Sequence, residues 1–190
     1  GFTMGGGVGI SCHGSHRIVC DTSKIAMPEC SIGLIPDVGG SFLLSQVPGN
    51  LGYYLGLTGT QMNAADAVFA GFADYYIPKD EWFNVIEFLE QSGDFSIIKN
   101  YSINPGKSHL SQNRKFFDNA FKFKKLSKIV NFLSNSENRL AQLALQKIEK
   151  NCPLAMTYTI EMLSRLSPKS TIEDALNLEY RFTSRAQEFG

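Results

Sequence analysis

The sequence predicts a mixed α/β fold in which strands and turns come first and helices follow. Short β-branched or apolar stretches bounded by glycine and proline are concentrated before about residue 50. After that point, apolar residues recur at helical spacing. Hydrophobic residues make up 43% of the 190 and charged residues 19%, the balance of a globular chain long enough to bury a core. The predicted organisation is an α/β core portion over 1–100 and an α-helical region over 101–190, divided by a loop at Tyr101 to Gln112 that contains Pro105-Gly106.

Taken in order, Val8 to His13 reads as a helix whose N-terminus faces the Gly5-Gly6-Gly7 triplet. Arg17 to Asp21 and Ser23 to Met27 read as strands, the second stopped by Pro28. Pro36-Asp37-Val38-Gly39-Gly40 is turn chemistry, and Phe42-Leu43-Leu44 opens a helix. Asn63 with Asp66 three residues on is an N-cap pattern for Ala64 to Ala70, stopped by Gly71. Trp82, Val85, Ile86 and Leu89 fall at i, i+3, i+4 and i+7 and predict a buried stripe; Leu126 to Leu133 repeats that spacing, and Leu140, Leu143, Ala144 and Ile148 follow it approximately. Pro153 suits the first turn of a helix that carries Met156, Ile160 and Leu163. Ser170 with Glu173 reads as a capping box for the last helix.

The formal net charge is zero, so no global field draws the chain to nucleic acid or an anionic membrane. No apolar run approaches the roughly 18 residues a membrane span requires. Arg114 to Lys128 holds six basic residues interleaved with Phe116, Phe117, Phe121 and Phe123. That pattern suits nucleic acid in principle, but an amphipathic segment with phenylalanines inward and a solvated lysine face is the preferred reading; a variant of it has some of those lysines meeting phosphates. Cys12, Cys20, Cys30 and Cys152 lack CxxC spacing, and His13 and His16 near them complete no metal template, so no metal site is expected. Free thiols in a reducing, intracellular compartment are the expectation. The chain also reads as cut at both ends, since the glycine triplet has almost no strand before it and Arg185 to Gly190 stops within a helical pattern. Self-association, or a partner supplying missing elements, is therefore expected.

Three elements carry chemistry. Glycines without Cβ atoms let backbone N–H groups approach a ligand, and at a helix N-terminus they suit a developing oxyanion; the same triplet also serves as a plain strand-to-helix turn. Glu29, beside Met27, Cys30 and Ile32, is either a partly desolvated base or nucleophile with a raised pKa or a solvent-facing loop acid. Asp37 by itself reads as an N-cap in a Pro-Asp-x-Gly turn. Together they form an inventory able to stabilise a thioester enolate or tetrahedral intermediate.

Met4-Gly5-Gly6-Gly7-Val8-Gly9-Ile10-Ser11, Ala26-Met27-Pro28-Glu29, Ile32 to Gly40 and Leu57-Thr58-Gly59 resemble the crotonase (enoyl-CoA hydratase/isomerase) superfamily in order and spacing. Within it the 3-hydroxyisobutyryl-CoA hydrolase branch is the better match, and the similarity weakens towards Leu178-Glu179-Tyr180-Arg181. The resemblance implies a spiral of β-β-α turns, present here in part, with a helical C-terminal region. It implies that Gly6, flanked by Gly5 and Gly7, donates a backbone N–H to the thioester oxygen, that Glu29 is catalytic and that Asp37 assists as in hydrolase-type members. Hydratases carry a second glutamate where this chain has Gly9, which disfavours hydration; dienoyl-CoA isomerases, which pair a Glu with an Asp eight residues later, are the alternative, as is an inactive fragment or binding module. The implied substrate is a short-chain 3-hydroxyacyl-CoA, as in valine catabolism. No separate cofactor is implied, because coenzyme A is part of the substrate. The location expected is the cytoplasm of a bacterium or the mitochondrial matrix of a eukaryote.

Overall fold

The computed structural model describes residues 1–186; the helical pattern read at Arg185 to Gly190 lies, from position 187, outside the described residues. The chain opens as β1 (Phe2–Met4), α1 (Gly6–Ser11), β2 (Ile18–Val19) and β3 (Lys24–Ala26). A 3-10 turn over Glu29–Ile32 leads to α2 (Gly40–Gln46), α3 (Leu51–Thr58), α4 (Ala64–Phe69) and β4 (Tyr75–Tyr76). After a second 3-10 turn, Lys79–Glu81, come α5 (Trp82–Ser92), α6 (Ile97–Tyr101), α7 (His109–Gln112) and α8 (Arg114–Ala120). The last helices are α9 (Leu126–Ser134), α10 (Arg139–Ile148), α11 (Pro153–Arg165) and α12 (Ile172–Thr183).

The strands pair in parallel across crossovers. β1 lies beside β3 in the register Phe2↔Lys24, Thr3↔Ile25 and Met4↔Ala26, with α1 in the connection. β2 leaves that sheet and pairs with β4, Ile18 opposite Tyr75 and Val19 opposite Tyr76. Arg17 fastens this second pair: its Nε donates to Asp74 Oδ2 at 2.9 Å, and its Nη1 to the Gly71 carbonyl at 2.6 Å. Parallel strands need such returns because no tight hairpin can join them.

Every residue of α3 is buried, so it forms an apolar hub with helices on several sides. At Gly52 an added Cβ would stand 2.0 Å from the Leu44 carbonyl oxygen, so only glycine lets the backbones of α2 and α3 come together. α10 and α11 pack on the same hub. One buried cluster runs from Val8 to Leu163 and joins side chains on either side of position 100. Asp66, buried in α4, adds a polar tie by accepting from Ser108 Oγ at 2.7 Å and the Leu110 N–H at 2.9 Å.

Several local expectations hold and others shift. Asn63 caps α4 by accepting from the Asp66 N–H. The capping box of α12 is Thr171 with Asp174, one position beyond Ser170 and Glu173, because Ser170 Oγ instead accepts from the Ser167 N–H. Of the Trp82–Leu89 stripe only Val85 is buried, and Ile86 is 51% exposed. Those side chains face an apolar cavity of about 530 Å³ under α5 that does not reach Glu29 or Asp37. On α10, Ala141 replaces Leu143 on the inner face, and Leu143 is 47% exposed. The expected loop at 101–112 contains the single-turn helix α7. In the basic stretch, Phe117 and Phe121 are fully buried while the six cationic side chains are exposed, which is the amphipathic arrangement. No helix among the described residues is long and apolar enough to cross a membrane.

Candidate active site

The end of β1 and the end of β3 meet at the glycine turn. The Gly5 N–H donates to the Ala26 carbonyl at 3.1 Å, and Gly5 adopts φ +51° before α1 begins. The Val8 N–H returns to the Gly5 carbonyl at 2.7 Å. Among the described residues, the N–H groups of the exposed Gly6 and Gly7 have no acceptor. Both residues lie in the first turn of α1, where helix N–H groups have no intrahelical acceptor.

Glu29 arrives at this turn because Pro28 ends β3 and the 3-10 turn folds the chain back. Its side chain is only 5% exposed. Oε1 lies 2.6 Å from where a Gly5 Cβ would stand, so the absent side chain of Gly5 is the space the carboxyl occupies. Oε2 is buried without a hydrogen-bond partner among the described residues. Burial pushes the Glu29 pKa up to about 7; its own backbone opposes this, and the charges of Asp37 and Glu179 reinforce it. Of the two readings open from sequence, the desolvated carboxyl is the one present.

Asp37 lies half-buried in the Pro36–Gly40 turn, and burial raises its carboxyl above the usual range. It does not cap the following helix. That helix starts at Gly40, the cap position is Gly39, and the first-turn donors are met by a residue from the far end of the chain. Glu179 of α12 accepts from the Gly39 N–H at 3.0 Å, from the Ser41 N–H at 3.1 Å and from Ser41 Oγ. On the other side of the turn, His13 Nε2 is 3.2 Å from the Val38 carbonyl oxygen. Val38 takes φ 54°, unusual for a β-branched residue. A Cβ on Gly9 would stand 2.5 Å from Val38 Cγ2, so Val38 fills the space a side chain at position 9 would need.

The structure thus brings together Glu29, the glycine turn and the Asp37 turn. Sequence reading gave no role to Glu179, Ser41 or His13. For Glu179 one signal was present: it falls four residues after Ala175 on the inner face of α12, and a carboxylate on an apolar stripe requires donors. Among the described residues, no group of three or more His, Cys, Asp or Glu has the arrangement of a metal site.

Over residues 1–189 the sequence matches the model of a family described as Enoyl-CoA hydratase/isomerase. The chain belongs to the enoyl-CoA hydratase/isomerase family. The human protein named 3-hydroxyisobutyryl-CoA hydrolase, mitochondrial, is 32% identical over 96% of this chain and 50% of its own length. The rat protein of that name is 31% identical over 99% of this chain and 51% of its own. The chain therefore spans about half the length of these relatives. A crystal structure described as an enoyl-CoA hydratase from Rhodobacter sphaeroides 2.4.1 superposes with TM-score 0.93 at 46% identity, covering 98% of this chain and 54% of that one. Another, described as a carnitinyl-CoA dehydratase from Mycobacterium thermoresistibile, gives TM-score 0.92 at 36% identity, covering 97% and 54%. The fold is accordingly a partial α/β crotonase fold rich in helix, and the family's chemistry is that of coenzyme A thioesters.

Proposed function

We propose that this chain carries the catalytic carboxylates of a hydrolase for short-chain 3-hydroxyacyl-CoA thioesters. The observation that carries the reading is Glu29: a buried carboxyl, pushed to about 7, with one oxygen unpartnered and the other against Gly5. Such a group is half ionised near neutrality and has a lone pair free for a substrate or water. The relatives named 3-hydroxyisobutyryl-CoA hydrolase support this choice of substrate class.

In this reading the thioester oxygen accepts a hydrogen bond from the Gly6 N–H, which draws off charge as the carbonyl carbon becomes tetrahedral. Glu29 either attacks that carbon, giving an anhydride that water then opens, or takes a proton from the attacking water. The C–S bond breaks, coenzyme A leaves as the thiol, and water supplies the oxygen of the product acid. Asp37 orients the water or the substrate's β-hydroxyl. Val38 over Gly9 supports hydrolysis against hydration, because it fills the space where a second glutamate would be needed.

The 46% identical structure described as an enoyl-CoA hydratase favours a second reading, double-bond chemistry on an enoyl- or dienoyl-CoA with Glu29 and Asp37 moving the proton. A thiol-release assay on the complete protein separates the two. The hydrolase reading expects free thiol from 3-hydroxyacyl-CoA esters and no hydration of enoyl-CoA. Glu29→Gln is expected to lose about 10³-fold or more in kcat; a Gln variant with full thiol release would overturn the reading.

A further inference from the structure

The turn that bears Asp37 is held in place by a side chain 140 positions away in sequence. Glu179 is 3% exposed and, among the described residues, forms no salt bridge. Its two oxygens instead accept from three donors of the turn and of α2: the N–H groups of Gly39 and Ser41, and Ser41 Oγ. The same turn contains Val38 at φ 54°, a conformation that a β-branched residue holds only when its surroundings impose it. The imposed contacts are visible on both flanks, with Glu179 on one side and His13 at the Val38 carbonyl on the other.

We infer that Glu179 is a positioning residue: its carboxylate clamps the Pro36–Gly40 turn so that Asp37 stays within electrostatic reach of Glu29 and Val38 stays over Gly9. The inference rests on the hydrolase reading and extends it to a residue outside the motif. Each of its two oxygens receives a backbone N–H, so an amide in its place could accept at one position and would face a donor with its own NH2 at the other. The ionisable groups acting on Glu29 are Asp37 from the turn and Glu179 from α12. The adjacent Cys30 thiol is pushed up to about 12 and stays neutral, and α2 contributes no ionisable side chain.

The test compares the wild type with Glu179→Gln and Ser41→Ala in the complete protein, measuring kcat and KM for thiol release against pH alongside thermal melts. Glu179→Gln keeps the shape, removes the charge and turns one of the two acceptor oxygens into a donor. It is expected to lower kcat about tenfold or more with KM within about twofold, and to move the acid limb of the profile to lower pH. An unmoved limb, or a loss of kcat that only follows the folded fraction, would overturn the inference. Should Glu179→Gln fail to fold, Ser41→Ala carries the test: a kcat loss of about two- to fivefold at constant KM supports the clamp, and wild-type kcat overturns it. A wild type that releases no thiol counts against the hydrolase reading alone. Carbon NMR titration of Glu29 then decides, since its midpoint should fall in Glu179→Gln, and an unchanged midpoint rejects the clamp.

Discussion

Ionising Glu29 means leaving a charge on an oxygen that has no donor, and the energy of doing so appears in both stability and rate. The folded state holds this proton to about 7, whereas the ordinary value is 4.5. A carboxyl with a raised folded pKa favours folding fully below the unfolded value and loses that contribution as pH rises through the folded one. Glu29→Gln should therefore stabilise the protein by about 2–3 kcal/mol at pH 8 and by almost nothing at pH 4, as read by chemical denaturation at both. A gain that is the same at both pH values would contradict the burial account. In the hydrolase reading the sign is opposite for the rate, because there the ionised form acts: thiol release should rise with pH through an apparent pKa near 7. Gly9 and Val38 form a second pair at this scale. Gly9→Ala should cost about 1–3 kcal/mol by overpacking against Val38, while the double variant with Val38→Gly should recover most of it, a coupling readable from the four melting curves.

Helices in this chain meet at positions where a side chain is absent. Gly52 brings α3 within contact of the Leu44 carbonyl, and its alanine variant must push two backbones apart. Gly52→Ala is expected to lower stability by about 2–4 kcal/mol, measured as a fall in denaturation midpoint with unchanged slope. Element identity was largely legible: the Asn63 cap, the Pro153 start and the Leu126–Leu133 stripe rest on partners within one or two turns of sequence. The apposition of Glu29 to the glycine turn was legible only through the family resemblance, since the residues alone leave Glu29 open between a buried carboxyl and a solvent-facing acid. What was misread involved distant partners. Asp37 has good local cap chemistry, yet the α2 donors are taken by Glu179, which no window of a few residues includes. The Trp82–Leu89 spacing correctly gives a helix, but periodicity reports which face is apolar and not whether anything covers it.

At the level of the molecule, large apolar side chains are exposed along much of the chain, with Phe2 at 77%, Ile10 at 88% and Phe83 at 73%. Among the described residues each of the two sheets has two strands, which leaves strand edge unpaired apart from the Ile25–Met62 bridge. The chain of 190 residues by itself is therefore expected to self-associate, with sedimentation showing mass above the monomer as concentration rises; a monomer at every concentration would remove that expectation. The Glu179 contact has a further consequence for how the protein is made. Because the stretch between Gly5 and Gly40 is made before Glu179, which follows Gly39 by 140 positions, nascent chains carry Glu29 and Asp37 long before the turn can close. Ribosome-bound chains stalled before α12 should hold the strands and α1–α3 yet lack a settled Asp37 turn, so competence would arrive late in synthesis and abruptly.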